Sequence, residues 1–450
     1  FRGRPMHILP GSLFAQCMRQ EGLIQVFRTL LSAKKSSFTI KYFPNLEGYT
    51  WEEVRQAVPG NVTVCGLVRG KTYDFFPADN LVLHAQDRLL LLANNWNKTS
   101  TLDMKELEES HKRVAERLKH RGDGSVQQLE LTEASNNDTW HNEADLPLGE
   151  LTKQKRVVKK QLIQVVMCGW AGERTAVICD KFNQFAAPGS SVVILSEAPI
   201  KDRLAVTERH KERVKAKDRP YNLLVIHKHG SPMSFNMVKK AVMAVQGATP
   251  QVPGEPDPVT SFLVVPDSTF KEETSERDTM DEQSVFQLLL ADRACREAGI
   301  TSAGFVGQVY GTRMAKQVNA LYPHFRCLAW GQLNALFTIQ LMAHPELQDV
   351  WDDLLGSGTG EDIFLKSSRL YTGITQDSSE VVEMTFRELE AQGHARGETV
   401  LGYYNLRVRD TDSVFKYEAP DKPVLNPPKD DKISIDPDRT RIVVISPFEN

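Results

Sequence analysis

The chain lacks the patterns of several protein classes, and each absence excludes one of them. Its six cysteines are scattered without a CxxC pair, which argues against a zinc site or a disulfide framework and predicts reduced, buried thiols. The longest apolar runs, such as 89–93, are far shorter than the roughly 20 residues that cross a bilayer, so we expect a soluble chain. No G-x-S-x-G, H-E-x-x-H, P-loop or EF-hand pattern occurs, and we therefore predict that it is not an enzyme.

Charge is nearly balanced, which limits the partners of the chain. Lysine and arginine total 55 against 58 aspartate and glutamate residues, a formal net charge of −3. No global field favours nucleic acid or an anionic membrane, and we expect no nucleic-acid partner. The length of 450 residues allows roughly two to four domains, each with a core of its own.

One cassette of sequence occurs twice. The stretch 12–31 returns 324 positions later at 336–355, and both copies have apolar residues at helical spacing with a break in the middle. This pattern predicts a helix, a turn and a second helix in each copy. Short β-rich runs follow, and three blocks correspond between the copies at altered spacing: 65–67 with 401–403, 76–79 with 426–429, and 87–92 with 438–444. We therefore expect a small β-rich lobe after each helix pair.

The sequence between the two cassettes alternates between buried strands and helices. Strand signals lie at 162–168, 191–195, 222–226, 261–265 and 302–308, and helical stretches lie near 174–186, 234–245 and 281–299. The intervening charged stretch 201–219 is interpreted as solvated chain. This alternation predicts an α/β fold with a Rossmann-like, doubly wound parallel sheet.

The turn after the first of these strands is the place where a nucleotide-binding fold has its glycines. Gly169, Trp170 and Gly172 are there, with Glu197 at the end of the second strand, and these four are the candidate ligand-binding residues. Ala171 replaces the glycine that lets backbone approach a pyrophosphate, so we expect no NAD. A Rossmann-type NAD(P)-dependent oxidoreductase remains the alternative function.

Three carboxylates form a candidate cation site at the carboxyl edge of the sheet. Glu197, Asp267 and Asp281 follow strands or open a helix, and oxygen ligands of this kind suit Ca²⁺. Acidic residues are also ordinary at helix starts, and that interpretation stays open. No other cofactor is assigned.

The second helix pair carries more apolar surface than a connection between lobes needs. The residues assigned to an assembly interface are Leu333, Phe337, Leu347, Val350 and Trp351. A helix that is apolar around most of its circumference has to be buried, and we predict self-association through this pair. Burial within a single chain is the alternative.

Several blocks resemble the CASTOR/POLLUX family of ion channels, whose soluble part contains tandem regulator-of-conductance (RCK) domains. The blocks are 22–26, 42–48, 51–54 and 64–68 in the first cassette, then 168–170, 185–190 and 197–199, and finally 402–403, 425–428 and 441–445. The resemblance implies crossover helices and the C-lobe of a first RCK domain at 1–96, a charged linker at 97–160, a Rossmann-like N-lobe at 161–330, and the second crossover helices and C-lobe at 331–450.

The resemblance also implies a function without bond chemistry. Four subunits would form a gating ring facing the cytosol or nucleoplasm, and a ligand or ion would change lobe angles and act on a potassium- or calcium-linked cation pore, in the nuclear envelope by resemblance. An α/β lobe of about 165 residues precedes the second cassette, so an equivalent lobe and pore helices are expected upstream of the first. A soluble RCK regulator without its own pore is the third alternative.

Overall fold

In a computed structural model of the chain, the described residues are 8–20, 22–32, 36–43, 46–58, 60, 62–70, 72–94, 162–215, 221–248, 258–267, 277–300, 303–322, 324–355, 361–373, 379–406 and 422–447. The expected linker at 97–160 lies outside them. Among these residues no helix combines the length and the apolar character needed to cross a membrane.

The centre of the fold is a six-stranded parallel sheet. Its strands are β5 (Ile163–Cys168), β6 (Ser191–Ser196), β7 (Leu224–His229), β8 (Val259–Val264), β9 (Ala303–Val309) and β10 (Phe325–Ala329). The spatial order is β10-β9-β8-β5-β6-β7, so the chain winds outward from β5 in one direction and then from β8 in the other. This is the strand order of doubly wound nucleotide-binding folds, and the predicted fold class is confirmed.

Helices connect these strands: α4 (Glu173–Phe185), α5 (Ile200–Lys215), α6 (Phe235–Ala248), α7 (Arg277–Glu297) and α8 (Thr312–Leu321). The sequence pattern missed α5, α8 and β10. The charged stretch 201–219 indicated no helix, because the residues that α5 buries include Arg203 and Thr207, which are polar and leave little hydrophobic periodicity.

The seven described elements of the first cassette recur in the same order in the second, which has three further elements. The first has α1 (Ile8–Arg19), α2 (Leu23–Leu30), β1 (Ser36–Tyr42), α3 (Trp51–Ala57), β2 (Val62–Arg69), β3 (Thr72–Asp74) and β4 (Arg88–Asn94). The second has α9 (Trp330–Ala343), α10 (Leu347–Leu354), β11 (Asp362–Ser367), α11 (Arg369–Thr372), β12 (Val382–Thr385), α12 (Phe386–Ala395), β13 (Thr399–Asn405), β14 (Val424–Leu425), β15 (Lys432–Ile435) and β16 (Thr440–Ser446). Residues 36–94 are called the first β lobe, and residues 362–446 the second β lobe.

The sheets of the two β lobes have matching topology. The antiparallel order is β1-β4-β2-β3 in the first and β11-β16-β13-β14 in the second. Each sheet has one register shift, next to Gly66 in β2 and next to Gly402 in β13. These two glycines belong to blocks that correspond in the sequence. The duplicated cassette is therefore confirmed down to the position of a β-bulge.

The first helix pair packs on the parallel sheet and on the second cassette. The guanidinium of Arg326, in β10, donates to the carbonyls of Cys17 and Met18 at 3.1 Å each. The Phe14 and Trp330 rings stack with their centroids 6.0 Å apart. One hydrophobic core therefore runs from the parallel sheet through both helix pairs into both β lobes.

Candidate functional site

Gly169 follows β5 at a point where another chain segment comes very close. Its N–H donates to the Leu195 carbonyl at 2.8 Å, and its φ is +98°. A Cβ at this position would lie 1.8 Å from the Val265 carbonyl oxygen. The structure therefore requires a glycine here for packing, independent of any ligand.

Two amides of the turn that could face a phosphate have partners within the protein. The N–H of Trp170 donates to Asp267 Oδ1 at 2.9 Å, and the N–H of Ala171 donates to Thr175 Oγ1 at 2.8 Å. The Ser196 hydroxyl also donates to Asp267 Oδ1, at 2.6 Å. Burial raises the pKa of Asp267, and the two hydrogen bonds to its carboxylate oppose the rise. The Asp267 side chain thus lies where a nucleotide phosphate would otherwise accept from the loop.

The remaining ligand candidates differ in exposure. Trp170 is buried and its ring meets the His227 ring edge-on, with centroids 6.0 Å apart. Gly172 precedes α4 with a φ of +60°, and no atom lies within 4 Å of the point that a Cβ would occupy, so this position is open. Glu197 is exposed directly after β6.

The hydrogen bonds of the cation candidates do not indicate that their carboxylates surround one point. Asp281 is buried and accepts from the N–H groups of Tyr310 at 2.6 Å and Gly311 at 2.8 Å, so its carboxylate fixes the start of α8. The Asp267 carboxylate accepts a hydrogen bond from the turn after β5. Within the described ranges no group of three or more His, Cys, Asp or Glu side chains is arranged to hold a metal ion.

His227 lies at the same edge of the sheet in a site that disfavours its charged form. Its Nε2 is 3.3 Å from Thr207 Oγ1, and burial followed by the nearby Arg203 and Lys211 cations lowers its pKa from 6.5 to about 4, against a smaller opposing effect of Glu208.

We expect the protein to lose stability as the pH falls from 6.5 to about 4, because His227 takes up a proton in the unfolded chain before it does so in the folded one. In His227→Gln the decrease in Tm across this window should be smaller than in the wild type. His229→Gln is the control, since His229 is exposed two residues further on. Equal pH profiles for His227→Gln and the wild type would contradict this assignment.

The five residues assigned to an assembly interface are all buried inside this chain. Leu333, Phe337, Leu347, Val350 and Trp351 are at most 5% exposed. Trp351 contacts the rings of Phe27 and Phe38 from the first cassette at centroid distances of 6.2 and 5.4 Å. Their burial therefore needs no second copy, and self-association through these helices stays a prediction.

A cavity that the sequence did not predict lies between the two β lobes. Its volume is about 990 Å³, and both lobes line it. Its apolar lining includes Trp51, Phe75 and Phe76, and its charged lining includes Arg55, Asp79, Arg387, Glu390, His394, Glu398, Lys429 and Asp430. A molecule in this cavity would touch both lobes and would favour one relative position of the two.

Hydrogen bonds and ion pairs join the lobes around the cavity. His394 Nε2 in the second lobe is 3.1 Å from Asp79 Oδ2 in the first. The hydroxyl of Thr63 is within hydrogen-bond distance of Asn426 Oδ1, at 3.1 Å, and Ser36 Oγ donates to the Leu425 carbonyl at 2.8 Å. Besides the hydrophobic core that reaches into both lobes, a few polar contacts therefore join them at the cavity, and a movement could exchange these contacts.

Comparison with known proteins gives a consistent result. A family described as Castor and Pollux, part of voltage-gated ion channel, matches residues 7–108. The probable ion channel POLLUX of Arabidopsis thaliana is 35% identical over 92 residues, which is 20% of this chain and 11% of the relative. The probable ion channel CASTOR of Oryza sativa subsp. japonica is 26% identical over 203 residues, 44% of this chain and 18% of the relative.

Among solved structures, the human SLO3 gating ring superposes with a TM-score of 0.57 at 10% identity, covering 99% of this chain and 76% of that one. This likeness shows a shared fold. The sequence matches confirm the resemblance to the CASTOR/POLLUX family, and they span less than a fifth of the length of these two curated relatives.

Proposed function

We propose that this chain is the regulatory region of a CASTOR/POLLUX-like cation channel, in which a bound ligand or ion changes the angle between the two β lobes and thereby acts on a pore. The observation that carries the proposal is the cavity of about 990 Å³ that both lobes line. Because both lobes line the cavity, a ligand that binds more tightly to one arrangement of the lobes shifts the equilibrium towards that arrangement.

The proposed domain division follows the sequence expectation. A first RCK domain contributes its crossover helices and C-lobe at 1–96, a linker follows at 97–160, and a second RCK domain has its N-lobe at 161–330 and its crossover helices and C-lobe at 331–450. Four such subunits would form a ring around a potassium- or calcium-linked pore in an intracellular membrane, with the nuclear envelope as the proposed site.

The exposed residues of α9 support an additional parallel-sheet lobe in the full protein. Ala15 and Met18 of α1 are buried where that helix lies against α4 and β9. The residues 324 positions later, Ile339 and Met342 of α9, are 53% and 68% exposed. A second α/β lobe that packs on α9 in the way that the present lobe packs on α1 would cover these two residues.

The proposal is tested by breaking one contact between the lobes and one within a lobe. His394→Ala removes the polar contact with Asp79 across the cavity, whereas Arg369→Ala removes the ion pair with Asp438 inside the second β lobe, at 2.6 Å. A partly exposed ion pair contributes roughly 0.2 to 1 kcal/mol, which changes a two-state equilibrium by up to about fivefold per subunit.

We expect His394→Ala to change the fraction of open channels at a fixed stimulus when cation current is recorded from the full-length protein, and Arg369→Ala to leave it unchanged. The absence of any cation current from that protein would refute the channel proposal. Currents that respond equally to both substitutions would refute the role of the contact between the lobes.

A further inference from the structure

We infer that the facing surfaces of the two β lobes are built to pair a first lobe with a second lobe and to reject a second copy of either. The basis is a reversal of charge at equivalent positions of the duplicated lobe. This selective pairing would hold whether or not the chain regulates a pore.

Equivalent positions on the two facing helices are fixed by their starts. Thr50 caps α3 and Thr385 caps α12, each in a reciprocal capping box with a glutamate three residues later. Five residues after the cap, the first lobe has Arg55 and the second has Glu390. Both side chains line the cavity between the lobes.

The loop beside each helix also has an equivalent position. The N–H of Glu52 donates to the Asp79 carbonyl at 3.1 Å, and the N–H of Arg387 donates to the Lys429 carbonyl at 2.9 Å. Glu52 and Arg387 each lie two residues after the helix cap, so these hydrogen bonds occupy the same place in both lobes. Asp79 is therefore the counterpart of Lys429.

The ion pair between helix and loop is present in both lobes with opposite polarity. Arg55 and Asp79 approach to 3.8 Å in the first lobe, with the cation on the helix. Glu390 and Lys429 approach to 3.1 Å in the second lobe, with the anion on the helix. The side chains of Lys429 and Glu390 are 6% and 18% exposed, so these charges are only weakly screened by water.

Each lobe meets the opposite charge pattern across the cavity. The Thr63 hydroxyl of the first lobe donates to Glu390 Oε1 at 3.1 Å, and the Lys429 N–H donates to the Gly60 carbonyl at 3.0 Å. The Glu390 carboxylate also acts on the Arg55 guanidinium and opposes the lowering of its pKa by burial. Arg55 on the helix of one lobe therefore faces Glu390 on the helix of the other.

Pairing of like lobes would lose this complementarity. In a symmetric pair each surface faces its own copy, so two first lobes would bring Arg55 towards Arg55 and two second lobes would bring Glu390 towards Glu390. Juxtaposed like charges at a partly buried surface act against association. The kind of partner that each surface fits is thus the other lobe type.

The test gives one lobe the charge pattern of the other. The double substitution Glu390→Arg with Lys429→Asp leaves the net charge unchanged and keeps one cation and one anion at these two positions, but it places an arginine opposite Arg55. We expect Tm to fall by about 5 °C or more and hydrogen exchange in α3 and α12 to become faster. The matched control is Arg369→Glu with Asp438→Arg, which reverses a pair away from the cavity and should leave Tm nearly unchanged.

Reversing the first lobe as well should restore the pairing. Adding Arg55→Glu with Asp79→Lys to the double variant makes opposite charges face each other again at positions 55 and 390, and we expect most of the lost Tm and of the slow exchange to return. A quadruple variant that is no more stable than the double variant would overturn the inference, whether or not the double variant folds. A double variant as stable as the wild type would also overturn it.

Discussion

Replacing Trp351 with alanine is expected to cost about 3 to 5 kcal/mol of folding free energy. The side chain has no exposed surface and packs against Phe27, Phe38 and Phe337, with ring centroids between 5.3 and 6.2 Å away. Its Nε1–H donates to Gln340 Oε1 at 3.1 Å, so truncation also leaves a buried amide without this partner. Because these rings come from both cassettes, the loss should weaken the attachment of one cassette to the other.

Thermal and denaturant unfolding followed by circular dichroism measure this effect. Met342→Ala is the control on the same helix pair, because Met342 is 68% exposed and its truncation should change stability by no more than about 0.5 kcal/mol. Similar small effects of both substitutions would mean that Trp351 does not join the cassettes as described.

Gly169→Ala is expected to destabilise the parallel sheet severely, and Gly172→Ala is expected to cost clearly less. At Gly169 the added methyl group would lie 1.8 Å from the Val265 carbonyl oxygen, so β5 or the end of β8 has to shift. At Gly172 nothing lies within 4 Å, and the cost comes from the backbone alone, because φ +60° with ψ −134° is a conformation that residues other than glycine rarely adopt, at about 1 to 3 kcal/mol. The measurement is the Tm of the two variants side by side.

The comparison separates two roles for the glycines in this turn. If the turn served to admit a phosphate, both variants would fold and would lose affinity for NADH in a calorimetric titration. Packing as the main role predicts a large loss of Tm at Gly169 alone and no heat of NADH binding in the wild type. Equal stability of the two variants would contradict the packing role.

The sequence predicted the elements whose residues alternate or repeat in a simple way. Strands β5 and β6 are mostly apolar runs in which every residue is buried, and the duplicated cassette keeps its helical register over 324 positions. Helix α5 could not be found in this way, because Arg203 is fully buried and donates to the carbonyls of Ile194 and Lys228 at 3.1 Å each. In the sequence alone, a buried arginine that donates to strand carbonyls cannot be distinguished from an exposed arginine.

The candidate site was harder to predict because its parts are distant in sequence. The cavity is lined by residues 51–79 and 387–430, and no local pattern indicates that these stretches face each other. The charge reversal becomes visible only after the two capping boxes align Arg55 with Glu390. In the glycine turn the spacing suggests a ligand, whereas in the structure Asp267 accepts from the Trp170 amide.

The two β lobes should change their relative position when the proposed channel changes state, and a distance between them tests this most directly. Spin labels at Glu47 in the first lobe and Glu383 in the second, both exposed, would report this distance by electron spin resonance in the full-length protein. The six native cysteines of this chain are buried, so within it the label would react with the introduced cysteines. We predict different distance distributions under conducting and non-conducting conditions; the same distribution under both would contradict the proposed movement of the lobes.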